Sequence, residues 1–191
     1  MSGHHLLMRW LPRFWRAQAG VAAVEFALIL PIMLLVYIGT IEASSLISMD
    51  RKVQTASGAV GDLIARSDGS ITTAELEDYI GAAGGILTPY SPTPLIQIVT
   101  QVRLDINGNA IVDWSRGYVG QARDPLLDHA ANSTYRLPSE IVAIAREGFI
   151  IVSEARYAYT PLYGIVFDQP VNLYRENFFL PRFNDRIQFR P

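Results

Sequence analysis

The 191-residue sequence contains no cysteine, which excludes a disulfide framework and any thiolate metal site. Histidine is also scarce. His4 and His5 stand close to the N-terminus, and His129 is isolated in a polar segment. A single histidine does not form a metal cluster without help from distant carboxylates. We therefore predict no metal site and no cofactor for this chain.

Lysine occurs once, at Lys52, in a segment with helical periodicity. A phosphate-binding loop needs its lysine directly after a glycine-rich turn, so this position does not suit nucleotide binding. The G-x-S-x-G pattern that presents a nucleophilic serine is missing as well. These absences predict a protein without enzymatic activity.

Acidic residues are missing from the first 20 positions, which carry Arg9, Arg13 and Arg16. Basic residues beside a membrane span stay on the cytoplasmic side, so they place the N-terminus in the cytoplasm and the bulk of the chain outside it. Without these arginines, thirteen basic residues remain against eighteen acidic ones, a net charge of −5 for residues 21–191. This charge argues against nucleic acid as a partner. We interpret residues 1–20 as a basic leader, either a short interfacial helix or a segment without fixed structure.

A long apolar run follows the leader. Residues 26–41 carry no charge, and Glu25 alone interrupts the run from Val21 onward. Because about 20 apolar residues cross a bilayer, residues 21–42 are predicted to form a transmembrane helix.

Helical periodicity continues beyond Glu42 without a proline. Apolar residues recur at intervals of three and four, which predicts an amphipathic continuation of the same helix over residues 43–66. One helix is thus expected from about residue 22 to about residue 66. The side chains expected to face a core are Leu46, Met49, Val53, Ala56, Val60 and Leu63.

Residues 67–191 are predicted to form a small extracytoplasmic domain. Thr72 and Glu75 match a capping box that opens a short helix ending near Ala83. Alternating apolar residues on either side of an Asn-Gly pair then predict a β-hairpin, because this pair suits a turn with positive φ. The following residues 117–132 show little pattern and are predicted to be a surface loop.

The C-terminal part is predicted to add a short helix over residues 138–146 and two more strands. The first of these strands has Phe149, Ile151, Ser153, Ala155, Tyr157 and Tyr159 on one face. The last covers roughly Val171–Phe179 and precedes a charged tail. The predicted fold class is α+β, with the long helix packed on an antiparallel sheet of three or four strands.

Two short patterns imitate metal-binding loops. Asp68, Ser70 and Thr72 are similar to the D-x-S-x-[ST] ligands of von Willebrand A domains, although a helix end precedes them. The segment DINGN at Asp105 is similar to the start of a calcium loop, but its twelfth position is Arg116 instead of glutamate. We interpret the first pattern as a helix cap and the second as a hairpin turn.

Several aromatic residues of the domain fit either an exposed adhesive surface or half-buried positions on the sheet. The second arrangement is the more common one for tyrosine and tryptophan. These residues are Tyr90, Trp114, Tyr118, Tyr157, Tyr159 and Tyr163.

The most informative pattern joins the leader to the apolar run and reads Gly20, then VAAV, then Glu25 and Phe26. A carboxylate at the edge of a transmembrane helix costs free energy, so it generally has a partner. This G-x-x-x-x-E-[FY] pattern resembles the processing site of Flp-type pilins and of TadE-like pseudopilins. Pro31 within the span resembles that family too, and motifs beginning at Val112 and Ile150 do so more weakly.

The resemblance implies that a membrane-embedded prepilin peptidase cuts between Gly20 and Val21. The new α-amino group of Val21 then lies one helical turn from Glu25. Pairing of this amine with the Glu25 carboxylate of a neighbouring subunit offsets the desolvation of both groups. Glu25 and Phe26 are therefore expected at contacts with other pilins and the Tad assembly machinery, in the bacterial inner membrane or a pilus.

The chain also departs from the family pattern. Family members often carry a cysteine pair in the C-terminal domain, and this chain has none, so its domain relies on packing. A major Flp pilin is mostly one helix, whereas residues 67–191 follow the helix here. The resemblance therefore implies a minor component, with structural or assembly-priming duties.

Two other functions remain open from the sequence. One is a membrane-anchored periplasmic binding module that never enters a pilus, with Glu25 merely at the membrane interface. The other is a secreted protein whose signal peptide is cut near residues 43–45, although the continuous helical period there disfavours such a cut.

Overall fold

A computed structural model describes residues 18–165, 168–183 and 186–191. The leader arginines and the possible leader helix lie outside these residues. The first element is helix α1, Gln18–Ala65, which runs without a break through Pro31 and Glu42. This confirms one long helix that joins the apolar run to the amphipathic segment.

The second half of α1 packs on the rest of the chain through one stripe of side chains. Met49, Val53, Ala56 and Val60 are buried, as the periodicity predicts. The stripe then ends at Ile64, while Leu63 is exposed, so the predicted last position was wrong. A straight helix turns about 100° per residue, and the step of four from Val60 keeps Ile64 over the sheet.

A small antiparallel sheet lies against this stripe. Its strands in the described residues are β2 (Ile96–Leu104), β3 (Ala110–Val119), β4 (Ala122–Arg123), β5 (Phe149–Tyr159) and β6 (Val171–Phe179). Their order is β4-β3-β2-β5-β6, and each neighbouring pair is antiparallel. The α+β class is therefore confirmed.

The predicted strand number and the predicted loop at residues 117–132 need correction. Strand β3 extends to Val119, and the chain turns at Gly120, whose φ of 59° is left-handed, before β4. Five strands thus form this sheet within the described residues. Gly117, which carries no side chain, weakens the alternating pattern that would have indicated the strand.

The C-terminal residues are also part of the fold, where a charged tail was predicted. Strand β7 (Gln188–Arg190) pairs in parallel with β1 (Ser70–Thr72). The indole N–H of Trp114 donates to the carbonyl of Ile187 at 2.8 Å, and the Ile187 N–H donates to Gln101 Oε1 at 2.9 Å. Strands of three residues are too short to show a periodic pattern.

Both faces of the sheet are covered. The α1 side holds one apolar cluster, and the opposite side holds another beneath helix α3 (Ser139–Ile144). Ile150 and Val152 face the second cluster, as the alternation along β5 predicts. Of the aromatic residues considered above, Trp114, Tyr118, Tyr157 and Tyr159 are buried, which favours their structural interpretation over an adhesive surface.

The two local motifs are also confirmed as structural. The Thr72 hydroxyl accepts from the Glu75 N–H at 3.3 Å and the Glu75 carboxylate accepts from the Thr72 N–H at 2.8 Å, which opens helix α2, Thr73–Gly85. The Asp105 carboxylate accepts backbone N–H bonds from Asn107 and Asn109 inside the β2–β3 turn.

Helix α1 approaches the sheet closely at Gly61. A Cβ at this position would lie 2.3 Å from Phe179 Cε2 and 3.1 Å from Ser153 Cβ. One turn earlier, the Ser57 hydroxyl donates to the Ser153 carbonyl at 2.7 Å. Glycine is therefore required for the observed depth of docking.

We expect Gly61→Ala to destabilise the protein by about 1–3 kcal/mol, because the added methyl group overpacks the helix–sheet contact. Gly58→Ala is the matched control, since no heavy atom lies within 4 Å of its added Cβ. This control should be more stable than wild type by up to about 1 kcal/mol, through helix propensity alone. Denaturant unfolding in detergent measures both, and equal effects would contradict the close packing at Gly61.

Candidate functional site

The predicted cleavage site lies in the first turn of α1. Gly20 is the third residue of the helix, it is exposed, and no heavy atom lies within 4 Å of a Cβ built on it. The helix begins at Gln18, about four residues before the start predicted near residue 22. The first four N–H groups of a helix lack helical acceptors, so the bond between Gly20 and Val21 lies where a helix opens most easily.

Glu25 follows Val21 by four residues, which places both on one side of α1, about 6 Å apart along its axis. Among the described residues, no hydrogen bond or ion pair to the Glu25 side chain is present. Phe26, the next residue, is exposed on an adjacent side of the helix. Within the part of the chain that the structure describes, this carboxylate has no bonded partner and this aromatic ring is not buried.

The N-terminal half of α1 is left uncovered by the rest of the described residues. Residues 20–37 are all exposed, and none of the most apolar stretch is buried by the rest of the chain. The helix is long and apolar enough to cross a membrane. An apolar surface of this length is not stable in water, so lipid or other apolar helices must cover it.

Glu42 marks the end of this bare segment. Its side chain is 2% exposed, and its Oε1 accepts a hydrogen bond of 3.0 Å from the backbone N–H of Ile165. No pattern in the sequence indicated this contact, because the two residues are far apart along the chain and neither belongs to a recognisable motif. The two carboxylates of the apolar region therefore differ: the described residues supply a partner for Glu42 and none for Glu25.

A second cluster of charged groups lies on the sheet face opposite α1. Glu154 is buried, and its carboxylate lies 2.7–3.2 Å from four possible donors: the His129 ring, the Tyr135 and Tyr174 hydroxyls and the Arg156 guanidinium. The sequence suggested that His129 is isolated, and this was wrong, because its ring is bonded to Glu154. Burial by itself raises the pKa of Glu154, but the bond and charge of His129, with the bonds from Tyr174 and Arg156, lower it overall.

Glu176 completes this cluster and behaves in the opposite way. Its Oε1 lies 2.8 Å from the Tyr135 hydroxyl, which also faces Glu154. One hydroxyl proton cannot serve two carboxylates at once. Burial raises the pKa of Glu176, and the bond from Tyr135 offsets this only in part. The tightly bonded arrangement is that of a structural network in the domain.

The opposite pKa directions give opposite effects of pH. Ionised Glu154 stabilises the fold above about pH 4.5, and this is lost as pH falls through its lowered pKa. Ionised Glu176 destabilises the fold at neutral pH, and this is relieved as pH falls through its raised pKa.

At pH 7 we expect Glu154→Gln to lower the free energy of unfolding by about 1–3 kcal/mol. Glu176→Gln should raise it, because the amide donates to Tyr135.

Thermal unfolding of both variants between pH 4 and pH 7 measures these effects. The gain from Glu176→Gln should shrink as pH falls toward the ordinary range of a glutamate. A Glu154→Gln protein at least as stable as wild type at pH 7 would contradict the assigned network.

Comparison with known proteins places the similarity on α1, over most of its length. Residues 20–61 match the family described as TadE-like protein. Comparison with curated proteins and with solved structures gives no match. The matched segment begins at Gly20, includes Glu25 and Phe26, and reaches the glycine that contacts the sheet. It indicates a component associated with the Tad pilus, from a structural family that is not known for enzymatic activity. Over its long N-terminal helix, this chain is similar to the TadE-like proteins.

Proposed function

We propose that the protein is a TadE-like pseudopilin, a minor and non-enzymatic subunit or assembly primer of a Tad pilus. A prepilin peptidase removes residues 1–20, and α1 then holds the subunit in the inner membrane until it joins other pilins. The observation that carries this proposal is the exposed apolar half of α1 with Glu25 near its start, a carboxylate for which the described residues supply no partner.

The packing of α1 explains how such a subunit would move as one body. The second half of the helix is fixed to the sheet by the buried stripe and by polar bonds such as Gln54 Nε2–H to Asn177 Oδ1 at 2.7 Å. No break separates this half from the apolar half. A displacement of the membrane helix along its axis therefore carries the α+β domain with it.

The proposed orientation has the leader in the cytoplasm and residues 67–191 in the periplasm. The basic leader supports it through the positive-inside rule. The acidic balance of the remaining residues is compatible with export, and the buried clusters on both sheet faces provide stability without disulfides.

Fractionation tests this function against that of a membrane-resident binding module. Pili sheared from cells that carry an active Tad system should contain the protein, at a low ratio to the major pilin. Cells without the Tad secretion ATPase are the control, and there the protein should remain entirely with the inner membrane. Its complete absence from sheared pili, and from cross-links to other pilins, would favour the binding module.

A further inference from the structure

The connection between β5 and β6 exposes three large apolar side chains within four residues. Leu162 is 80% exposed, Tyr163 54% and Ile165 55%. No charged residue occurs from residue 160 to residue 165, and the next one in the sequence is Asp168. We call residues 160–165 the β5–β6 loop. Such a group on a water-facing surface is unfavourable and indicates a contact surface.

The fold places this loop beside the end of the apolar run of α1. The Ile165 N–H donates to Glu42, and Glu42 directly follows the last residue of the uncharged run. The exposure of α1 falls already at Ile38, whereas residues 20–37 are all exposed. Ile38 lies about 6 Å before Glu42 along the helix axis. Tertiary contacts therefore begin inside the apolar run.

The depth of the loop in a bilayer follows from the length of the run. Residues 21–41 span roughly 30 Å as a helix, the thickness of the hydrocarbon core. If these residues cross the bilayer, Glu42 lies at the outer headgroup boundary. The loop bonded to Glu42 lies at the same level, where tyrosine and aliphatic side chains are favoured.

We propose that the β5–β6 loop inserts into the outer interface of the bilayer that α1 crosses, as a second lipid contact. Lipid is the occupant because the loop adjoins the membrane span and carries no charge. The backbone bond to Glu42 holds the loop against α1, so the two attachments together fix the tilt of the domain over the membrane. This proposal rests on membrane anchorage by α1.

The cysteine-free sequence makes a direct test possible. Single-cysteine variants Leu162→Cys, Ile106→Cys and Leu34→Cys of the full chain are labelled with a polarity-sensitive fluorophore. They are reconstituted at low protein-to-lipid ratio in phosphatidylcholine and phosphatidylglycerol vesicles. Ile106 is the matched control, because it is 68% exposed in the β2–β3 turn at the other end of the sheet. Leu34 reports on the span itself.

We expect a lipid-borne quencher at shallow depth to quench the label at Leu162, and a deep one to quench the label at Leu34. The label at Ile106 should respond to aqueous iodide, with a quenching constant several times that at Leu162.

Iodide access at Leu162 equal to that at Ile106, with Leu34 still lipid-quenched, would overturn the loop insertion and leave the anchor intact. Shielding at Leu162 from both quenchers that disappears on dilution into more lipid would also overturn it, and would assign the loop to a protein neighbour. Failure of lipid quenching at Leu34 as well would overturn the loop insertion together with the anchor.

Discussion

Replacement of Gly20 by leucine should leave the protein with its leader. The uncleaved form should be heavier by about 2 kDa, the share of 20 residues in a chain of 191 residues and 21.2 kDa. A peptidase must open the helical backbone at this bond, and the exposed Gly20 favours opening because glycine stabilises a helix poorly and has no side chain to obstruct access. Leucine adds bulk at the bond and strengthens the helix there.

Ala27→Leu is the control for this variant, because it adds a similar volume to an exposed position of α1 beyond the processing pattern. It should be processed like wild type. Gel mobility or intact mass in cells with an active prepilin peptidase measures both variants. If the leader is removed from the Gly20→Leu protein at the normal rate, Gly20 is not part of the processing site.

Replacement of Glu25 by alanine should abolish entry into pili while processing and membrane insertion continue. The variant removes a polar group from the bilayer edge, so the isolated helix should insert at least as well as before. In the fibre, however, the Val21 amine of the neighbour loses its partner and remains buried. The loss of one member of a buried pair costs about 3–5 kcal/mol, which corresponds to a reduction of roughly 10² to 4 × 10³-fold in incorporation.

Glu25→Gln separates charge from hydrogen bonding, and it should also be defective. Leu28→Ala is a control that removes apolar volume from an exposed position nearby without changing a charge, and its effect should be far smaller. The ratio of pilus-bound to membrane-bound protein measures all three variants. Normal incorporation of both Glu25 variants would refute the pairing with Val21 and leave the processing site untouched.

The sequence was sufficient for the elements whose pattern is local. The helix α1 follows from its apolar run and from the spacing of Met49, Val53 and Ala56, and the hairpin from its Asn-Gly turn. The same holds for the strand β6, whose bounds agree with the prediction. These features depend on propensity and periodicity over ten or more neighbouring residues, which is the information that one sequence contains.

The features that the sequence did not reveal depend on pairs far apart in the chain. The parallel pair β1–β7 joins residues more than a hundred positions apart, and each strand has three residues. His129 is a polar loop residue until the fold brings Glu154 to 2.7 Å. The same reason applies to Glu42, whose partner at Ile165 is selected by the length and path of the β5–β6 connection.

For the candidate site, the sequence supplied the residues and the structure supplied their surroundings. Gly20, Val21, Glu25 and Phe26 follow from the resemblance of their pattern to the pilin processing site, and the family match begins at the first of them. The structure adds that this end of α1 has no tertiary cover and that Glu25 has no partner within the described residues. Cleavage and subunit pairing remain proposals, because both involve other proteins.

The mature N-terminus of the native protein tests the proposed function most directly. Intact mass and N-terminal peptide mapping should be carried out on protein from the membrane and from sheared pili of cells with an active prepilin peptidase. We expect a single species that begins at Val21. A protein that begins at Met1 or Ser2 would contradict prepilin processing and favour a permanent membrane anchor, and one that begins near residue 46 would instead identify a conventional secreted protein.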